Sequence, residues 1–161
     1  MRNQLKKSAS STVETTTTHK PAFFNPEILS WTPWAIEGTE FKLLNINAQS
    51  GGFTMLLRVE PGNESPVHGH LGAVEGFIMG GGFGYGDDRG REGWYVYETS
   101  GIRHAPDTDD DGMVMFAVAY GPIVGYEDDG SVAAVLDGKT MYQMASDNGA
   151  AGHLEIPPEW T

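Results

Sequence analysis

The chain has 161 residues, a length that suits one domain with one sizeable core. Ten Lys and Arg against 22 Asp and Glu leave a formal net charge of −12, and the basic residues are scattered. No electrostatic footprint for phosphate backbones or anionic lipid exists, so neither nucleic acid nor a membrane surface is an expected partner. The absence of Cys excludes disulfides, thiolate zinc sites, iron–sulfur clusters and cysteine nucleophiles.

Residues 1–20 are polar and rich in Ser and Thr, and they read as a flexible arm holding a solvated His19. They carry no signal-peptide core, and no apolar run in the chain is long enough to span a bilayer, so cytoplasm is the expected compartment. Residues 21–161 read as a single domain. Its first part, residues 21–36, holds Phe23, Phe24, Ile28, Leu29, Trp31, Trp34 and Ile36, interrupted by Pro26 and Pro33. That pattern suggests an irregular segment wrapping the core, and so many aromatics also suggest a contact between copies of the chain.

Strands follow at Glu40–Asn47 and Phe53–Glu60, joined by a Gly-rich hairpin connection. In the second, Phe53, Met55, Leu57 and Val59 share one face. Further short strands are expected at Val67–His70, Glu75–Met79, Trp94–Glu98, Arg103–His104, Met113–Tyr120 and Val132–Leu136, punctuated by Gly, Pro and Asp. No helical stripe of ten residues competes, and Thr140–Ser146 offers at most one short turn. The fold class is all-β, a sandwich or small barrel.

Two conspicuous runs have ordinary structural readings. Gly80–Gly86 lacks both the Lys-Ser/Thr of a phosphate loop and the helix of a dinucleotide fingerprint, which leaves tight turns and close strand approach. Asp107-x-Asp109-x-Asp111-Gly112 opens like a calcium loop but has Val118 where the closing Glu belongs, so a solvated acidic turn is expected. Arg89 and Arg91 read as surface charges. Phe77, Met79, Met113, Met115 and Phe116 are candidates for either core or pocket.

The histidines carry the chemistry. His68 and His70 stand at i and i+2 on a strand, so both imidazoles project from one face. Two polar rings make sense there if that face lines a cavity. Glu75 lies far enough on to return beside them, and His104 arrives at the start of a later strand. Three imidazoles, with or without a carboxylate, suit Fe(II), Mn(II), Ni(II) or Zn(II).

His68-x-His70-x-x-x-x-Glu75, followed by His104, resembles the two split motifs of the cupin superfamily. The segments Glu98-Thr99-Ser100-Gly101-Ile102-Arg103-His104 and Gly121–Val132 are similar to those of the acetylacetone-cleaving enzymes and 2,4'-dihydroxyacetophenone dioxygenases. That resemblance spans roughly residues 40–140. It implies a cupin β-barrel of the jelly-roll (double-stranded β-helix) type, homo-oligomeric, with non-haem Fe(II) on His68, His70 and His104. It also implies that O₂ and a small carbonyl or enol compound are the substrates, a β-dicarbonyl or hydroxyketone being cleaved at a C–C bond. Glu75 matches a carboxylate that is a fourth ligand in many metal cupins, and Glu98 matches a carboxylate acting from behind the ligands. A cupin isomerase, decarboxylase or hydrolase, or a non-catalytic small-molecule binder, uses the same histidine motif.

Overall fold

The computed structural model describes residues 23–160; the arm expected at residues 1–20, with His19, lies outside them. After a single 3-10 turn at Pro26–Ile28, capped by the Asn25 side chain, the strands are β1 (Thr32–Pro33), β2 (Thr39–Asn47) and β3 (Gly52–Val59). Next come β4 (His68–His70), β5 (Val74–Tyr85), β6 (Asp88–Arg91), β7 (Tyr95–Glu98), β8 (Arg103–His104) and β9 (Asp107–Ala119). The last two are β10 (Ile123–Tyr126) and β11 (Val132–Leu136), and helix α1 (Gly138–Asp147) follows.

The strands pair antiparallel in two sheets. The larger has the order β1-β2-β3-β9-β5-β6, with β7 alongside β6 on the same edge of β5; the smaller is β11-β10-β4-β8. Inward residues of both sheets close one core: Phe41, Leu43, Met55, Leu57, Ile78, Met115 and Ala117 from the larger sheet, Ile123 and Leu136 from the smaller. The alternation anticipated in β3 holds, since Phe53, Met55, Leu57 and Val59 are all buried. Burying such side chains is worth about 1.5–3 kcal/mol each, which makes this interior the main source of stability.

Two expectations are corrected. The fold is mostly β but not all-β, because α1 is a true helix of ten residues. Asp137 caps it by accepting from the Thr140 amide at 2.8 Å, and Met141 and Ala145 are completely buried. The apolar stripe is only two residues wide, which is why periodicity missed it. Among the described residues the strands form two sheets facing one another. The acidic turn at Asp107–Gly112 is instead the first half of β9.

The acidic strand and the glycine run explain each other. Asp107, Gly84 and Arg89 lie in one cross-strand row. The Arg89 guanidinium spans Gly84 to donate to Asp107 and Asp109, each at 2.7 Å. A Cβ on Gly84 would sit 2.7 Å from the Arg89 side chain, so the row requires a glycine. At Gly81 the backbone has φ +65° and lies so close to Gly112 that a Cβ would strike its carbonyl. The run is structural, as its lack of phosphate-loop partners suggested.

The segment after residue 22 lies over its own sheet. Trp31 stacks under the Arg58 guanidinium, with the Lys42 ammonium 4.9 Å from its ring centroid. Trp34 donates its indole N–H to Met141 Sδ at 3.2 Å. Among the described residues, no helix is long and apolar enough to cross a membrane.

Candidate metal centre

Strand register brings the three histidines together. His68 and His70 share a face of β4 because they are two residues apart. His104 on β8 is the direct cross-strand partner of His68, so it projects from that same face. Their Nε2 atoms converge: His104 lies 3.0 Å from His68 and 3.3 Å from His70. Two nitrogens bound at about 2.1 Å and subtending 90–109° at one ion stand about 3.0–3.4 Å apart. The spacing therefore matches three ligands on one face of a single divalent ion.

The protonation chemistry agrees. Burial lowers the pKa of all three imidazoles; His70 falls to about 3, helped by His104 and His68, and His104 to about 4, helped by His68. All three are neutral at pH 7, the form that binds metal. His68 Nδ1 lies 3.0 Å from the Pro66 carbonyl, to which it donates, leaving the Nε2 lone pair free. The His68 Nε2 lone pair points at the Nε2 atoms of His70 and His104. The donor set thus fits a divalent transition metal of the kind imidazole prefers.

Glu98 stands behind the ligands. It is 8% exposed, and its two carboxylate oxygens lie 3.6 Å from His70 Nδ1 and 3.8 Å from His104 Nδ1. Those two buried Nδ1 atoms have no hydrogen-bond partner, and these distances are too long for one. Since both rings are neutral, the contacts are not ion pairs; they aim a carboxylate at the rear of two ligands, as metal–histidine–carboxylate arrangements require. Burial raises the Glu98 pKa, and a hydrogen bond from the Tyr85 hydroxyl opposes that rise. Tyr85 also stacks on His104, ring centroids 5.0 Å apart and 20° from parallel.

Tyr85 is the site residue that sequence reasoning missed, since it sits inside the glycine run with no motif to mark it. Glu75 is the residue that the structure does not bring to the cluster. It accepts from the Tyr120 hydroxyl at 3.1 Å on the outer face of the larger sheet, and it is not among the converging donors. Cross-strand parity explains the contrast: Glu98 pairs with inward Val74, whereas Glu75 pairs with outward Tyr97. Arg103 projects away from the cluster, as its alternation with His104 predicts, and lies over the Tyr126 ring. His153 is structural, its Nε2 2.9 Å from the Leu43 carbonyl.

A mostly apolar cavity opens between the sheets onto His68, His70 and Glu98. Met55, Leu57, Met113, Met115 and Ala117 form much of its wall. Met113 and Met115 therefore face the pocket, while Phe77, Met79 and Phe116 face outward.

A family model described as the ChrR cupin-like domain matches residues 19–124, about two thirds of the chain. The chain belongs to this family. The chain is similar in fold to an RmlC-like cupin protein from Ralstonia eutropha, with TM-score 0.76 and 23% identity over 86% of this chain and 92% of that one. It is likewise similar to an acetylacetone dioxygenase from Acinetobacter johnsonii, with TM-score 0.71 and 18% identity over 86% and 98%. No curated protein matches it in sequence.

Proposed function

We propose that this cupin is a non-haem Fe(II)-dependent dioxygenase that cleaves a C–C bond of a small β-dicarbonyl or hydroxyketone. The observation that carries the reading is the convergence of three neutral imidazoles at the wall of an apolar cavity, backed by one buried carboxylate. The solved acetylacetone dioxygenase of the same fold supports it. The two sheets are read as the halves of a jelly roll, acting in the cytoplasm as a homo-oligomer on a small molecule rather than on nucleic acid.

His68, His70 and His104 would hold the metal. Bound there, Fe(II) supplies Lewis acidity toward a chelating enolate and the redox chemistry for O₂. The protein's own residues do the rest. Neutral imidazoles add no negative charge, so the site favours an anionic enolate over a neutral ketone. The wall of Met55, Met113 and Met115 excludes water from the bound carbonyl compound. Glu98 lies behind His70 and His104, where a small closure would let it accept from their Nδ1–H groups, and the Tyr85 hydroxyl holds Glu98.

The test is metal analysis after anaerobic purification, followed by O₂ uptake with a panel of β-diketones and hydroxyketones. Stoichiometric iron, O₂ consumption and cleaved products are expected, and His104→Ala is expected to lose both metal and turnover. Zinc or nickel without O₂ uptake points to an isomerase, decarboxylase or hydrolase. No stoichiometric metal points to a small-molecule binder.

A further inference from the structure

The residues around the metal cavity divide by burial into a deep wall and a rim. Met55, Met113, Met115 and Ala117 are 2–5% exposed and belong to the packed core. Trp34, Ile36, Ser65 and Pro106 line the same cavity but are only half-buried, so they stand where it meets solvent. Trp34 is the largest of these rim side chains, and three contacts hold it. Its amide donates to the Thr39 carbonyl at 3.0 Å, and its indole N–H reaches Met141 Sδ at 3.2 Å. Its ring meets Phe41 edge-on, with centroids 6.5 Å apart. Phe41 and Met141 are completely buried, so an indole tied to both has little freedom to swing aside. Helix α1 thus reaches the cavity indirectly, by holding the ring at its rim.

The cavity is small. Its volume is about 70 Å³, against about 150 Å³ for a cavity that holds benzene. A methyl or ethyl arm beside the chelating oxygens fits such a space, and an aromatic ring does not. The deep wall gives way only at a cost, because its side chains fill the core on their other sides. The rim backs on solvent, and removing the Trp34 indole there frees more room than a benzene ring fills.

The polar side chains along the wall, Ser65 at the rim apart, are already engaged. Thr108 donates to the Glu60 carbonyl at 2.7 Å and accepts from the Asn63 amide at 2.9 Å. Thr39 donates to the Ile36 carbonyl, and Asp107 is paired with Arg89. A hydroxyl on a bound arm would give up its water here without a replacement partner, so the site favours a hydrocarbon arm.

We infer that Trp34 is the specificity-determining residue of this site. It caps the cavity so that a chelating carbonyl compound with short alkyl arms enters and one with an aryl arm is refused. The inference rests on the proposed function for the chelating end of the ligand, and adds which arm the site accepts and which side chain decides it.

Isothermal titration calorimetry on the full chain loaded with Zn(II), which binds a diketonate without consuming O₂, tests it. The ligands are acetylacetone and benzoylacetone, which differ by methyl against phenyl at one carbonyl. Wild type is expected to bind acetylacetone at least about tenfold more tightly. Trp34→Ala is expected to gain at least about tenfold in affinity for benzoylacetone, with acetylacetone changed less than about threefold. Trp34→Phe, which keeps a ring at the rim, is expected to retain the wild-type order. Trp31→Ala removes an indole that lies over Arg58 rather than at the cavity, and is expected to leave both affinities unchanged.

Far-UV circular dichroism and zinc content report whether each variant folds; if Trp34→Ala does not, Trp34→Leu decides. A wild type that does not favour acetylacetone overturns the inference. So does a folded Trp34→Ala or Trp34→Leu protein that discriminates as wild type does, or a Trp31→Ala protein that gains benzoylacetone equally. Iron-loaded protein that leaves acetylacetone intact in the presence of O₂ overturns the catalytic reading instead, and leaves a Trp34-dependent size limit standing.

Discussion

Removing only the Tyr85 hydroxyl separates its two contacts, because a phenylalanine ring can still stack on His104 while Glu98 loses its donor. The carboxylate would then be buried with one hydrogen bond fewer, a loss of about 1–3 kcal/mol. Tyr85→Phe is therefore expected to lower stability in urea by about that amount, keep most of its metal, and turn over more slowly. Unchanged stability would mean that Tyr85 does not hold Glu98. Glu75→Gln is expected to leave metal content unchanged, since Glu75 meets Tyr120 on the far face. A variant that loses metal would return Glu75 to the centre. The histidine pair was legible in the sequence because side-chain alternation in a strand is local. The choice between Glu75 and Glu98 needed the β5–β7 register, in which a shift of one residue reverses every face.

At the scale of elements, α1 is started by its cap and held by its completely buried Met141 and Ala145. Asp137 accepts from both the Thr140 amide and its hydroxyl, at 2.8 and 2.9 Å. Asp137→Ala is expected to cost about 1 kcal/mol in chemical denaturation without altering metal content. A loss several times larger would show that Asp137 does more than start the helix. The hairpin strands β2 and β3 could be read ahead from alternating apolar residues and a Gly-rich connection, because both signals are short-range. β6 and the acidic half of β9 could not. Asp107, Asp109 and Arg89 look like loop charges until the sheet places them in neighbouring strands, where they neutralise one another.

For the whole molecule, a metal that binds only the folded state must stabilise it by mass action. At a free concentration 100-fold above Kd the gain is about 2.7 kcal/mol. Thermal denaturation is expected at a higher Tm with metal than after chelation, and the difference should vanish in His70→Ala. A chelated protein with an unchanged Tm would mean that the three imidazoles do not close on an ion.

The sequence by itself determined the class of chemistry: no thiols, an acidic chain, short strands, and two imidazoles fixed on one face by a period of two. Net charge set an expectation about partners, since it needs no fold to act at long range. The resemblance had already named His104 and Glu98; tertiary structure alone decided that Glu75 stays away from them and which sheet face meets solvent. Those are consequences of register and packing between segments far apart in the chain. His104 reaches His68 only because β8 pairs with β4, and Phe77 turns outward only because Gly76 and Ile78 are claimed by the core.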